Sequence, residues 1–341
     1  MNKFKFLIVI FLSGLLSVTS SYGQELSEDE IGQVLKKMIT AQNNFRYTGD
    51  VTEKRIRDNQ LRIYNKKIWI EPPNCVREEI NVPERNRKIV KIFNNGKLET
   101  KINGKSFFSL RRRPSKPRFE PLKRMRRNFD INISDDKIIA GRETELIIMT
   151  PKKKNGRNIR FWIDKKTGVT LKKEILTLKD KNFIPIYEMC FTNIDYEPPK
   201  NPELFRIKRE MSFPNIETKE YATLKEARES IRFPLLIPDY IPDGYQLDRI
   251  RTTRERRSVT VHLNYNNGVN SFSVFQTRGH IPPYFGRTFK KDTKNNIIEI
   301  DRENRTIFFR KMGTFNLTII GNCKKELIRT VLENFSLPEK P

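Results

Sequence analysis

Histidine and cysteine are scarce in this chain, and their scarcity removes most of the chemistry that a 341-residue protein could carry. Only His262 and His280 are present. His262 lies between Val261 and Leu263 in a run that alternates as a strand, and His280 sits in a Gly/Pro stretch, so neither reads as a general base. The cysteines, Cys75, Cys190 and Cys323, are odd in number and far apart, without the spacing of a zinc site or a redox pair. They read as three buried free thiols, although Cys75 and Cys190 fall in one predicted domain, where an oxidising compartment would let them pair. No G-x-S-x-G, H-E-x-x-H, P-loop or dinucleotide fingerprint occurs. The neighbouring acids Glu78-Glu79 and Asp135-Asp136 would point to opposite faces of a strand and could not share a proton. No catalytic residue, metal site or cofactor is assigned, and the chain reads as non-enzymatic.

Acidic residues are also short, 41 against 67 Lys and Arg, for a formal net charge of +26. Long apolar runs are missing except near the start. There Lys3 and Lys5 precede the apolar stretch Phe6 to Leu16, and Ser21-Tyr22-Gly23 follows, the pattern of a secretory signal over residues 1–23. The stretch is shorter than the roughly 20 residues a membrane-spanning helix needs, and no cysteine stands near the exit for lipidation. The mature chain is expected to be soluble and periplasmic or extracytoplasmic. Export argues against nucleic acid as the partner of this charge; an acidic protein surface or peripheral contact with an anionic membrane fits better. A Lys/Arg-rich proteome would account for the same balance.

Length suggests two domains. Ser27 and Glu30 form a capping box at the start of a helix over Ser27 to Gln42, whose Ile31, Val34, Leu35, Met38 and Ile39 share one stripe. Strands are expected over Phe45–Arg55, Gln60–Ile70, Val76–Val82, Lys88–Phe93 and Lys97–Ile102, with Asn95-Gly96 and Asn103-Gly104 as hairpin turns. Arg111 to Arg127 is strongly basic and broken by Pro114, Pro117 and Pro121, which makes it a loop. Leu122 to Asp136 is expected as a helix or turn that carries Phe129 into the core. Arg160 to Leu176 forms a hairpin turning between Asp164 and Gly168, with Phe161 and Ile163 on one face and Trp162 and Asp164 on the other. A last strand pair covers Ile184–Tyr196 and Leu204–Ile207, and a linker covers residues 209–221. Beyond it, Thr223 and Glu226 cap a short helix, strands run from Gln246 to Ile320, and a closing helix over Lys324 to Phe335 has one apolar face.

Ala140-Gly141-Arg142-Glu143, Phe161-Trp162-Ile163-Asp164, Thr167-Gly168 and Leu171 together resemble the LolA/LppX/RseB superfamily of envelope proteins. Phe45-Arg46-Tyr47-Thr48-Gly49 resembles the opening strand of RseB-like members, and Asn201-Pro202-Glu203-Leu204-Phe205 the close of LolA-like domains. In the second half, Ile241-Pro242-Asp243-Gly244-Tyr245 and the stretch Val261 to Phe275 are similar to the C-terminal domain of the RseB/MucB family. The resemblance implies an α+β protein of residues 24–208 and 222–341. The first part would be a LolA-like half-barrel of antiparallel strands wrapped on a helix, and the second a smaller antiparallel sheet with a terminal helix. It also implies a regulator of envelope-stress signalling that binds the periplasmic segment of an anti-sigma factor and senses lipid. The alternative is a LolA/LppX-like carrier of lipid or of a lipoprotein's acyl chain. On this reading Phe45, Tyr47, Ile68, Ile70, Phe161 and Ile163 line the ligand site, and Arg111, Arg112, Arg113, Arg118, Arg124, Arg126 and Arg127 form a basic rim.

Overall fold

The computed structural model describes residues 27–57, 60–82, 86–111, 121–153, 156–179, 182–207, 216–255, 258–278, 290–292, 297–302 and 305–337. The secretory signal, the centre of the basic run and His280 lie outside these residues.

The chain opens with helix α1 (Glu28–Asn44). The Ser27 hydroxyl oxygen accepts the Glu30 N–H at 3.3 Å, while the Glu30 carboxylate accepts the Ser27 N–H at 2.7 Å, so two orphan donors of the first turn are satisfied reciprocally. Eleven strands follow in one antiparallel sheet. They are β1 (Tyr47–Arg57), β2 (Gln60–Glu71), β3 (Cys75–Val82), β4 (Arg87–Asn94), β5 (Lys97–Ile102), β6 (Lys105–Arg111), β7 (Phe129–Ile139), β8 (Arg142–Pro151), β9 (Asn158–Asp164), β10 (Thr170–Lys179) and β11 (Asn182–Asp195). Their order, β6-β5-β4-β3-β2-β1-β11-β10-β9-β8-β7, makes two meanders joined where the first strand pairs with the last. The hairpin turns fall where the sequence placed them: Asn95 and Gly96 have φ of 45° and 84°, Asn103 and Gly104 of 48° and 78°, the left-handed pairs that two-residue turns require.

Helix α2 (Pro121–Asn128) links the meanders and starts on the last proline of the basic run, so that the part of the run from Pro121 onward is helix and not the expected loop. The expected helix or turn over Leu122–Asp136 stops at Asn128, because from Phe129 onward the chain alternates: Phe129, Ile131 and Ile133 join the core while Asp130, Asn132 and Ser134 pair outward as β7. The strand expected at Leu204–Ile207 is instead a 3-10 turn, Pro202–Phe205. Asn201 caps it by accepting the Glu203 N–H at 3.2 Å, and Pro202 presets its first residue. Phe205 is buried there, and its carbonyl accepts the Asn94 side-chain N–H at 3.0 Å.

The second sheet has eight strands in the order β12-β13-β14-β15-β19-β18-β17-β16. They are β12 (Ile216–Tyr221), β13 (Gln246–Glu255), β14 (Ser258–Asn266), β15 (Ser271–Arg278), β16 (Lys290–Asp292), β17 (Ile297–Arg302), β18 (Arg305–Met312) and β19 (Phe315–Gly321). β12 falls within the segment expected as linker; it pairs with β13 along its whole length. Helices α3 (Leu224–Ser230) and α4 (Lys325–Glu333) flank this sheet. Leu327, Ile328, Val331 and Leu332 of α4 pack on Leu263, Phe272, Val274, Leu317 and Ile319 in a separate core. The result is the expected class: α+β, a large antiparallel sheet laid on a helix, then a smaller sheet closed by a terminal helix.

α2 fastens the two parts together. Arg124 is buried, its guanidinium 2.9 Å from the Asp248 carboxylate of β13, with side-chain exposures of 4% and 7%. The Asn128 amide donates to the carbonyls of Gly244 at 2.9 Å and Asn267 at 2.8 Å.

Candidate functional site

Strand registers decide which face of the first sheet carries which residues. Phe161 is opposite Lys173, Lys173 opposite Met189, and Met189 opposite Glu53. Because alternation along β1 and β2 is unbroken, Tyr47, Val51, Glu53, Ile68 and Ile70 share that face with Phe161 and Ile163. α1 lies against it: Leu35 is fully buried among Ile147, Met149, Ile159, Phe161 and Ile163, and Ala41 packs among Tyr47, Val51, Ile70 and Phe191. The opposite face carries an ion-pair ladder. Lys54 meets Glu188 at 2.9 Å, Lys172 meets Glu188 at 3.2 Å and Glu174 at 2.7 Å, and Lys172 also sits 4.7 Å from the Trp162 ring centroid. The helix-bearing face is the apolar one.

The six residues chosen from the sequence divide on this face. Tyr47, Ile70, Phe161 and Ile163 are buried, and burial pushes the Tyr47 phenol up to about 12. Phe161 and Ile163 lie directly beneath α1, so an apolar ligand reaching them must share the face with that helix. Phe45 and Ile68 are half-buried at the margin, with Phe45 edge-on to Tyr196 at 6.4 Å. In the middle of the face stand two charged residues that hydropathy reasoning passed over. Glu53, 2% exposed, is ion-paired to Arg55 and Lys66. Lys173 stands over the Phe161 ring at 5.0 Å; burial lowers its pKa, and no carboxylate offsets that cost. The only signal in the sequence was Lys173 interrupting an otherwise apolar alternation with Leu171 and Ile175.

The arginines expected as a rim also part company. Arg111 ends β6, with its side chain outside the described residues, and Arg112, Arg113 and Arg118 lie outside them altogether. Arg127 is exposed, and Arg126 is half-buried, 3.8 Å from Glu28 of α1. Arg124 is not on a solvated rim: its partner Asp248, 124 residues away, draws it into the junction between the sheets.

The motif around Asp164 is a structural lock. Asp164, 1% exposed, accepts from the Arg142 Nε at 2.7 Å, the Tyr196 hydroxyl at 3.2 Å, and the amides of Lys166 at 2.8 Å and Thr167 at 2.9 Å. Burial by itself would raise its pKa, but Arg142 and the two amides outweigh burial and hold the carboxyl below its usual range. Gly168 has φ +76°, and a β-carbon there would come within 2.9 Å of the Lys37 backbone of α1. The turn therefore seats the helix. His262 is a strand residue stacked on Phe275 at 4.4 Å, as its pattern suggested. Cys75, Cys190 and Cys323 are all free; only Cys323 is buried, the other two being half-buried. Among the described residues no group of three His, Cys, Asp or Glu could hold a metal, and no helix is long and apolar enough to cross a membrane.

Comparison with known proteins fits this geometry. Residues 85–216 match the model of the MucB/RseB N-terminal domain, from the edge of β4 to the start of β12. The chain is MucB/RseB-like. Its fold resembles MucB in the Pseudomonas aeruginosa MucA/MucB complex, with 16% identity, a TM-score of 0.57, and 92% of this chain and 100% of that one covered. A structure of MucB in complex with MucA(peri) gives 14% identity, a TM-score of 0.52, and coverage of 92% and 100%. A structure of MucB gives 13% and 0.50, with coverage of 91% and 98%. No curated protein matches the sequence. Both sheets of this MucB/RseB-like chain thus fall within one shared fold.

Proposed function

We propose that this protein is an exported, non-enzymatic regulator that holds the extracytoplasmic segment of a membrane anti-sigma factor and lets go when a lipid occupies its first sheet. One observation carries the reading: the likeness to MucB, a protein solved with MucA(peri), extends over both sheets. A carrier needs only the first sheet, so the second, with its own core, favours regulation over carriage. The helix-bearing face suits an acyl chain, whose apolar surface is worth about 25 cal/mol per Å² removed from water. Lys173, a cation on this face whose burial no carboxylate offsets, would neutralise an acidic headgroup.

The same reading includes contact with an anionic membrane. Ile56, Leu61 and Ile63 at one hairpin end and Leu178 and Phe183 at the neighbouring one are 42–63% exposed, and all belong to the ladder-bearing face. Substituting Leu61, Leu178 and Phe183 with serine should abolish sedimentation with phosphatidylglycerol vesicles and leave folding intact. The main test is co-purification. Protein from its native host should carry a lipid identifiable by mass spectrometry and capture an anti-sigma periplasmic segment, and added lipid should release that segment. Binding of neither sinks the reading.

A further inference from the structure

The second sheet carries a cavity of about 600 Å³ at the end of its core-facing side, away from the first sheet's apolar face. Register builds it. Glu217 of β12 is opposite Arg254 of β13, and Arg254 is opposite Val259 of β14; in the next row Lys219 is opposite Thr252. Here the apolar rows of the core give way to cations. Arg278 closes β15, and α3 delivers Arg232 and Phe233 over the opening. The loop after α3 is pinned, since the Gln276 side chain accepts the Leu236 N–H at 2.9 Å and donates to the Pro234 carbonyl at 2.7 Å.

Four cations, Lys219, Arg232, Arg254 and Arg278, thus surround one cavity, and among the described residues none forms an ion pair, Lys219 standing over the Tyr221 ring at 5.1 Å. Among the described residues Glu217 is the sole carboxylate in the lining, and it pairs with none of them. A protein of charge +26 will have basic surface everywhere, but elsewhere its cations are commonly paired: Arg249 and Arg251, on the opposite face of the same β13, both reach Glu220. Convergence of unpaired arginines on a concave site with Tyr221 and Phe233 in its wall is the chemistry of carboxylate recognition beside an apolar side chain. β12 adds a second feature. It is an edge strand, paired on one side only among the described residues, so its free backbone groups can accept another strand. A lipid headgroup offers anionic charge without a strand to pair; a peptide offers both.

We infer that this cavity binds an acidic peptide in extended form, laid along β12, with its carboxylates on Arg232, Arg254 and Arg278 and an apolar side chain between Tyr221 and Phe233. The inference stands apart from the anti-sigma reading: it names a peptide chemistry, and holds or fails whether or not such a factor is the partner.

The test uses the full mature chain and a fluorescein-labelled peptide alternating Leu with Glu, read by anisotropy. A matching Leu/Lys peptide and unlabelled phosphatidylglycerol vesicles act as competitors. Saturable binding of the Glu peptide is expected, with no competition from the Lys peptide. Arg232→Gln, Arg254→Gln and Arg278→Gln should each weaken it about fivefold and the triple variant about 100-fold, and all three exposed substitutions should leave the circular dichroism spectrum unchanged. Arg228→Gln, on α3 outside the cavity, should bind as wild type. Equal affinity of the triple variant and wild type overturns the inference. So does retention of the vesicles, but not of the peptide, by the cavity arginines, which would make it a headgroup site.

Discussion

Replacing Asp164 with Asn tests the account of the turn that seats α1. The amide keeps one oxygen for the Lys166 and Thr167 N–H groups, but turns an NH2 toward the Arg142 Nε and the Tyr196 hydroxyl, two groups that donate to Asp164 in the wild type. A buried charge-assisted bond is worth about 1.5–3 kcal/mol and an opposed donor adds to the loss, so about 3 kcal/mol is expected. For a unit of this size that lowers the melting midpoint by about 6–12 °C. Both tryptophans, Trp69 and Trp162, lie in the first sheet, so their fluorescence during a urea titration reports its unfolding selectively. The pH dependence follows from the sign of the shift. A carboxyl with a depressed folded pKa contributes its stability above its unfolded pKa, near 3.8, and loses it as pH falls through the lower folded value. The gap between wild type and variant should be constant above about pH 5 and close in acid. Glu203→Gln, at an exposed ion pair with Arg206, serves as control and should shift stability by less than about 0.5 kcal/mol. If Asp164→Asn melts with that control, or if the gap persists at the lowest pH, the lock is not electrostatic.

Gly168→Ala and Gly104→Ala separate conformational strain from crowding. Both glycines have φ near +77°, but only at position 168 does a β-carbon meet the α1 backbone; equilibrium unfolding should show a cost of about 1 kcal/mol at 104 and at least about 3 kcal/mol at 168. Arg124→Met strands the Asp248 carboxylate in the junction between sheets and should cost about 3–5 kcal/mol, with calorimetry resolving two transitions where wild type gives one; adding Asp248→Leu should restore much of the loss. Lys173→Met removes a half-buried cation that no carboxylate offsets, and so should leave the melting temperature equal or higher by thermal shift, while binding of an acidic lipid weakens.

Local features of this fold were legible because neighbours in sequence decide them. The Ser27–Glu30 box, the Asn-Gly turns and the alternation through Phe161 and Ile163 depend on residues at most a few positions apart. The motif carrying the family resemblance was legible too, and its Asp164 and Gly168 hold a turn against a helix. The candidate face was half legible: alternation put Phe161 and Ile163 together on one side, but could not say that α1 covers Phe161 and Ile163 while leaving Phe45 and Ile68 at the margin.

What the amino-acid order determined by itself was the series of hairpins, the capped helices, the division into two parts and the surplus of positive charge. Tertiary structure alone decided that β1 closes the sheet on β11, which carries the face across Glu53, Met189 and Lys173. It also decided that one arginine of a basic run is buried against Asp248 while Arg127, three residues on, stays in water. Pairing and burial over more than a hundred residues depend on which partner the folded chain brings near. No local pattern encodes that, because a cation beside its carboxylate and a cation beside solvent are spelled alike.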